Sequence, residues 1–170
     1  MKALICVSGG IASGKTTVAQ ALAERFPNAV VRSFGDMVRQ QARRQGKRLD
    51  RTALQAVGLS LVQAGWAAFV DALLVGVPQS VDVLIIEGIR HLDAVDELRR
   101  RRLSDQLLTI YLKVTPHVQE QRLRERGESL VSRDHVVESL VSKIEASADV
   151  TIDSTLSLTE IEARILALLY

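Results

Sequence analysis

Residues Gly9–Thr16 read Gly-Gly-Ile-Ala-Ser-Gly-Lys-Thr, a full match to G-x-x-x-x-G-K-[ST]. They stand between the apolar run Leu4–Val7 and a segment of helical periodicity that opens at Lys15, and this context constrains the fold more than any other feature. Glycine-rich backbone between a strand and a helix can turn its N–H groups inward around phosphate oxygens, and the helix start adds the positive end of its dipole. The amino group of Lys15 then reaches the β- and γ-phosphates of ATP, and the Thr16 hydroxyl takes a place on Mg²⁺. The expected ATP-binding set is Gly9, Gly10, Ile11, Ala12, Ser13, Gly14, Lys15, Thr16 and Thr17. A glycine-rich strand-to-helix turn without a ligand is the plainer reading, and the complete match in the required context weighs against it.

Four further apolar runs follow Leu4–Val7: Ala29–Val31, Val83–Ile86, Leu107–Leu112 and Val150–Ile152. They are short and mostly rich in β-branched residues, as buried parallel strands are. Between them, apolar residues recur every three to four positions over 15–25, 36–46, 51–75, 91–101, 116–126, 134–147 and 157–169, which predicts helices. Alternating strands and helices imply a three-layer α/β/α fold with a five-stranded parallel sheet and the phosphate-loop strand central. In the long segment, Leu54, Val57, Leu61, Ala64, Ala68 and Leu74 fall on one stripe, predicting a core-packing helix with Gly58 and Gly65 as places for a bend. Trp66 and Phe69 are expected in the core or in a pocket wall.

Composition sets the remaining bounds. A chain of 170 residues, 47% hydrophobic, without low-complexity tracts or Pro/Gly linkers, is expected to form one domain over 1–170. The single cysteine, Cys6, lies in an apolar run and fits a reducing compartment, so a soluble cytoplasmic protein without a membrane span is expected. One cysteine and three histidines are too few for a structural zinc cluster. The net charge is +2, with arginine the dominant cation, a side chain suited to phosphate.

A phosphate loop implies triphosphate binding and leaves the reaction open. The only asparagine, Asn28, precedes Ala29, so the guanine-reading N-K-x-D element of GTPases is missing, and motor ATPases need larger domains. A small kinase is the remaining class. Segments leaving the carboxyl ends of the second and third strands should line the same crevice as the phosphate loop. They bring Asp36 and Arg39, then Glu87 and Arg90. The two carboxylates can face phosphates and Mg²⁺, and the two arginines can clamp an anionic acceptor. The plainer role for Asp36 is a helix N-cap, and for Arg39 a solvated first-turn residue.

The stretches Phe34-Gly35-Asp36-Met37-Val38-Arg39 and Glu87-Gly88-Ile89-Arg90 resemble two motifs of the adenylate kinase and nucleoside monophosphate kinase group, Thr-Gly-Asp-x-x-Arg and Asp-Gly-Phe-Pro-Arg. The chain has Glu87 where that group has aspartate and lacks the proline. The resemblance implies that Arg39 and Arg90 bind the acceptor phosphate and that Glu87, with Thr16, supports Mg²⁺. It also implies that Arg122 and Arg126 form the lid-base pair facing the transferred phosphoryl group. Residues 127–133 then form a short lid with Arg133 as a further clamp, and 148–154 supply the last strand and a loop bordering adenine. The implied activity is transfer of the ATP γ-phosphoryl group to a small nucleotide-like acceptor.

Two other resemblances keep a hydroxyl acceptor open. Dephospho-coenzyme A kinases share the loop and an aspartate that acts as base toward a hydroxyl, a role open to Asp36. Phage kinases acting on hydroxymethylated bases in DNA are also similar, and the basic stretches Arg39–Arg51 and Arg99–Arg102 would suit a nucleic-acid backbone. Neither stretch contains an aromatic for base stacking, which favours solvated helix faces. An ATP-binding regulator without an acceptor site is the non-enzymatic alternative.

Overall fold

The computed structural model describes residues 1–127 and 142–169. Strands β1 (Ala3–Gly9), β2 (Ala29–Ser33), β3 (Val83–Ile89), β4 (Gln106–Lys113) and β5 (Val150–Asp153) form one sheet in the order β2-β3-β1-β4-β5. Every pairing is parallel. All seven residues of β1 are buried, as a central parallel strand covered on both faces requires. The helices are α1 (Lys15–Glu24), α2 (Phe34–Arg44), α3 (Arg51–Gln63), α4 (Trp66–Leu74), α5 (Leu92–Arg100), α6 (Pro116–Glu125) and α7 (Leu158–Leu166), and residues 142–147 are also helical.

The period of two along each strand sorts the core into two layers. Leu4, Cys6, Leu84 and Ile86 meet Phe34, Phe69, Leu73 and Leu98 from α2, α4 and α5. Ile5, Val7, Ile85 and Ile110 meet Val18, Leu22, Ile161 and Ile165 from α1 and α7. The result is the expected three-layer P-loop kinase fold. Fully burying each of these large aliphatic side chains contributes about 1.5–3 kcal/mol, so the sheet is a rigid platform for whatever its ends carry. Burial pushes the Cys6 thiol up to about 12, outweighing the opposing pull of Arg99, and Cys6 is a packing residue.

Three expectations are corrected. The predicted helix over 51–75 is two helices, bent by 115° between Arg51–Gln63 and Trp66–Leu74. The chain turns at Gly65, whose φ of +102° is open to glycine and costly for other residues. The turn resets the helical phase: Val57, Phe69, Val70 and Leu73 are buried, whereas Ala64 and Ala68 of the predicted stripe are exposed. Secondly, α2 begins at Phe34 with Ser33 as its N-cap, the Ser33 hydroxyl accepting from the Asp36 N–H at 3.3 Å. Asp36 therefore lies in the first turn with its carboxylate free for other partners.

The third correction concerns the basic block Arg99–Arg102. Arg99 pairs with Asp96, Arg100 with the buried Glu97, and Arg101 with both Glu97 and Asp71. Arg101 also donates to the Ala67 carbonyl at 2.8 Å. Arg101 thereby fastens α5 to α4, whereas Arg99 and Arg100 pair within α5 and keep side chains 41% and 72% exposed. Among the described residues no single helix is long and apolar enough to cross a membrane, and α3 with α4 passes only as the bent pair. Arg133, most of the expected lid over 127–133 and much of the helix expected over 134–147 lie outside the described residues.

Candidate active site

The carboxyl ends of β1, β2 and β3 open into one crevice, and the phosphate loop forms its floor. Gly9 has φ of +146°, and a Cβ there would stand 2.5 Å from the Leu112 carbonyl oxygen and 2.7 Å from Ser13 Oγ. Only a residue without a side chain lets the loop leave β1 this close to β4. At the other end α1 starts at Lys15 with no side chain capping it, so the N–H groups of its first turn remain open to an anion. The Lys15 ammonium curls back into the loop, donating to the carbonyls of Gly9 (3.1 Å) and Gly10 (2.6 Å). Desolvation by burial, followed by Arg90 and with Arg126 adding to it, lowers Lys15 to about 8 against the opposing pull of Glu87. Lys15, Glu87, Arg90 and Arg126 thus share one electrostatic field.

Two oxygens face each other beside the loop. The Thr16 hydroxyl donates to Glu87 Oε2 at 3.3 Å, and Glu87 is 7% exposed. β3 delivers Glu87 through an irregularity: its register with β1 shifts between Val7 and Ser8, where Gly88 has φ of +79° and the Ser8 hydroxyl donates to the Ile89 carbonyl at 2.7 Å. A hydroxyl and a carboxylate are hard oxygen donors of the type Mg²⁺ takes, with phosphate and water oxygens completing its shell. No group of three or more His, Cys, Asp or Glu side chains able to hold a metal occurs among the described residues. The donor set therefore fits a Mg²⁺ that arrives with nucleotide phosphates.

The two arginines of α6 divide. Arg122 donates through Nη1 to the Ala12 carbonyl (3.0 Å) and Ser154 Oγ (3.2 Å), and through Nη2 to the Ser154 carbonyl (2.7 Å). One turn earlier Gln119 donates to the Ile11 carbonyl at 3.0 Å. The helix thereby holds the loop carbonyls outward, including that of Ala12, whose φ of +57° is strained for a residue with a side chain. Arg122 is spent on these carbonyls, contrary to the expectation that it faces a transferred group beside Arg126. Arg126 is exposed at the end of α6, close enough to Lys15 to act on its charge. Sequence reasoning passed over Gln119 and Ser154. Spacing of Gln119 and Arg122 at i, i+3 on a helix after β4 was the available signal. Arg122, Arg126 and Ser154 also line a cavity of about 290 Å³ with Ala12, Gly14 and Leu156.

On the opposite wall Asp36 accepts from Arg39 Nε at 3.2 Å, and both side chains are open to solvent. Arg90 follows β3 as an exposed residue, and desolvation first and Arg51 second depress its pKa while Glu87 opposes. Arg51, at the start of α3, acts on the charge of Arg90, a coupling its place in a basic stretch did not single out.

The comparisons agree with the architecture. An AAA domain model, AAA_18, matches residues 5–147. The chain belongs to that family. UPF0200 proteins are similar in sequence: the one from Pyrobaculum aerophilum is 33% identical over 126 residues, covering 74% of this chain and 67% of that protein. The one from Pyrococcus horikoshii is 29% identical over 130 residues, covering 74% and 69%. In fold, the chain is similar to a shikimate kinase from Aquifex aeolicus (TM-score 0.63, 18% identity, 96% of this chain and 94% of that one). It is also similar to the tunicamycin resistance protein of Deinococcus radiodurans (TM-score 0.61, 23% identity, 99% and 95%).

Proposed function

We propose that the protein transfers the γ-phosphoryl group of ATP to a small nucleotide-like acceptor. The observation that carries this reading is the pairing, across one crevice, of a complete phosphate loop with Thr16 against Glu87 and a separate cationic wall at Arg39 and Arg90. A pure ATP sensor has no use for that second wall. Lys15 would leave the Gly9 and Gly10 carbonyls for the β- and γ-phosphates, and the N–H groups at the start of α1 would hold the phosphate oxygens. The cavity beside Arg122 and Ser154 suits the adenine end. Thr16 and Glu87 would hold a Mg²⁺, which would supply charge neutralisation at the β- and γ-phosphates.

Arg39 and Arg90 orient the acceptor, whose oxygen forms a bond to the γ-phosphorus as the bond to the bridging β,γ-oxygen breaks and ADP departs. Arg126 stands where charge builds on the moving group, a role that supplies about 10³–10⁵ in rate in related systems. A second reading, transfer to a hydroxyl, is favoured by Asp36, because Ser33 takes over the N-cap and leaves its carboxylate available as a base. In that case the hydroxyl proton passes to Asp36. One shikimate kinase among the fold neighbours, from Acinetobacter baumannii, is a complex with shikimate.

Labelled ATP screened against mononucleotides, dephospho-coenzyme A and modified DNA tests both readings. Asp36→Asn should nearly abolish transfer to a hydroxyl while reducing transfer to an already ionised phosphate far less. ATP-dependent stabilisation of the fold without transfer to any of these acceptors overturns both in favour of a regulator.

A further inference from the structure

Glu87 and Ile89 stand two apart on β3, and an unbroken strand would turn them to the same face. They face opposite layers. Val7 and Ile85 pack with α1 and α7, the side on which Glu87 meets Thr16, whereas Ile89 lies in the core with Phe34, Phe69 and Leu98. The extra residue that inverts the alternation is Gly88. The register runs from Val7 opposite Glu87 to Ser8 opposite Ile89, and Gly88 takes a φ of +79°. A bulge of this kind re-aims the residues that follow it.

The bulge leaves the two charged residues around it held by different means. Glu87 precedes it and is paired on both sides, with Val7 of β1 and Ser33 of β2. Arg90 follows it, beyond the last rung of either ladder: pairing with β2 stops at Glu87 and pairing with β1 stops at Ile89. At that last rung the fully buried Ser8 hydroxyl donates to the Ile89 carbonyl at 2.7 Å. The carbonyl belongs to the planar peptide unit that includes the Arg90 nitrogen, so the bond orients the unit from which Arg90 leaves the sheet. Ser8 in turn directly precedes Gly9, where the phosphate loop begins. One side-chain hydrogen bond therefore joins the root of the loop to the root of Arg90.

We propose that Ser8 is a positioning residue for phosphoryl transfer, fixing Arg90 relative to the phosphate loop so that an acceptor oxygen is brought onto the γ-phosphorus. This rests on the proposed kinase reading, in which Arg90 orients the acceptor. Ser8 acts through the Ile89 peptide and not by contact with a substrate. Its influence belongs to the acceptor rather than to ATP, because Thr16 and Glu87 are secured by the ladder and by each other. Where a reaction depends on orientation, a displacement of about 1 Å costs on the order of 10²-fold.

The full chain is assayed with MgATP and mononucleotides, dephospho-coenzyme A and modified DNA as acceptors, as the wild type and as S8A, S8C, R90A and S8A/R90A. For S8A, kcat/KM toward the acceptor should fall about 10- to 100-fold while the MgATP Kd from calorimetry stays within about twofold. The share of γ-phosphate released to water instead of acceptor should rise. S8C, which keeps the size of the side chain and a weak donor, should fall between S8A and the wild type. In the R90A background the S8A change should add little, since both remove the same placement. Wild-type transfer by S8A overturns the proposal, as does an equal loss of ATP affinity and transfer, which would tie the bond to the loop. Losses from S8A and R90A that multiply independently overturn it as well. Denaturant midpoints accompany each variant, and if S8A does not fold, S8C decides on the same readouts, an unchanged partition between acceptor and water overturning the proposal. No transfer to any acceptor by the wild type removes the kinase reading and the proposal with it.

Discussion

The two walls of the crevice are built by different means. On the ATP side, side chains grip main-chain atoms: Lys15 holds Gly9 and Gly10, Gln119 holds Ile11, and Arg122 holds Ala12 and Ser154. On the side of Asp36, a charge is held by another charge near solvent, Arg39 by Asp36. Exposed ion pairs of this kind contribute about 0–1 kcal/mol each and rearrange readily. One wall is preorganised, as the proposed binding of a triphosphate's phosphate chain requires. The other is adaptable and can differ among relatives that keep the same sheet.

The sharpest way to break this comparison is to remove one arginine from each function of α6. Arg126→Ala should lower kcat by about 10²–10³ with ATP affinity little changed, because its contact would form as charge develops on the moving group. Arg122→Ala should instead weaken ATP binding by about tenfold or more, since it frees the carbonyls of Ala12 and Ser154 and removes a wall of the cavity beside them. Parallel ATP titration and single-turnover measurements distinguish the two. If both variants lose turnover alone, the division between them is wrong.

Stability supplies the next contrast. Gly9→Ala places a methyl group 2.5 Å from the Leu112 carbonyl oxygen at a strained φ, against strand backbone that cannot move away. It should cost about 2 kcal/mol or more. Gly35→Ala would meet the Nη atoms of Arg39 at 3.4 and 3.5 Å, the far end of a flexible side chain, and should change the unfolding midpoint little. Chemical denaturation of the two variants tests whether the acceptor wall is as yielding as its contacts imply. Equal losses would mean that it is not.

What the sequence made legible follows the same division. The phosphate loop could be read because its chemistry depends on backbone and on contiguous residues, Gly9 to Thr16. The five strands followed from apolar runs whose burial is local to each strand. The bend at Gly65 was named only as one of two glycines, because periodicity over 51–75 continues across the break and propensity does not record a 115° turn. The roles of Arg51, Gln119 and Ser154 are set by contacts with residues as far as 108 positions away, as Gln119 is from Ile11. Arg122 was expected to face the transferred group and instead meets the Ala12 and Ser154 carbonyls, since spacing on a helix fixes a face and not the carbonyl it meets.

A titration separates ligand capture from folding on the ATP side. Lys15 in the ligand-free protein gives up its proton near pH 8, against an ordinary 10.5 in the unfolded chain. Above about pH 8 the bound phosphates must bring the proton back, so ATP affinity should fall by up to about tenfold per pH unit until the bound-state pKa is passed. Stability carries the opposite sign. Between pH 8 and 10.5 the unfolded state binds more protons at this lysine, so its contribution makes the ligand-free fold more stable as pH rises. Calorimetric titration of ATP and denaturation at matched pH should therefore diverge, and Lys15→Met should remove both trends. Parallel trends would place the titration elsewhere.

The smallest expected signal reports on the acceptor wall alone. Trp66, the only tryptophan, is half-buried with its ring 5.0 Å from His91 and edge-on to Phe69 at 5.5 Å. His91 directly follows Arg90, and burial leads in lowering its pKa, with Arg90 adding to that and Asp93 opposing. An anion at Arg90 offsets the repulsion that adds to the effect of burial on His91, so acceptor binding should raise its proton occupancy. A protonated imidazole beside an indole quenches its emission. Adding a phosphate-bearing acceptor should therefore dim Trp66 slightly, with an effect that grows as pH falls toward the His91 titration, whereas ATP seated on the other wall should change it less. His91→Gln should remove the pH dependence while leaving the ring in place. An equal quench from ATP alone, or one unchanged in His91→Gln, would mean that the two walls are not separate and that the anion reaches Arg90 from the triphosphate side.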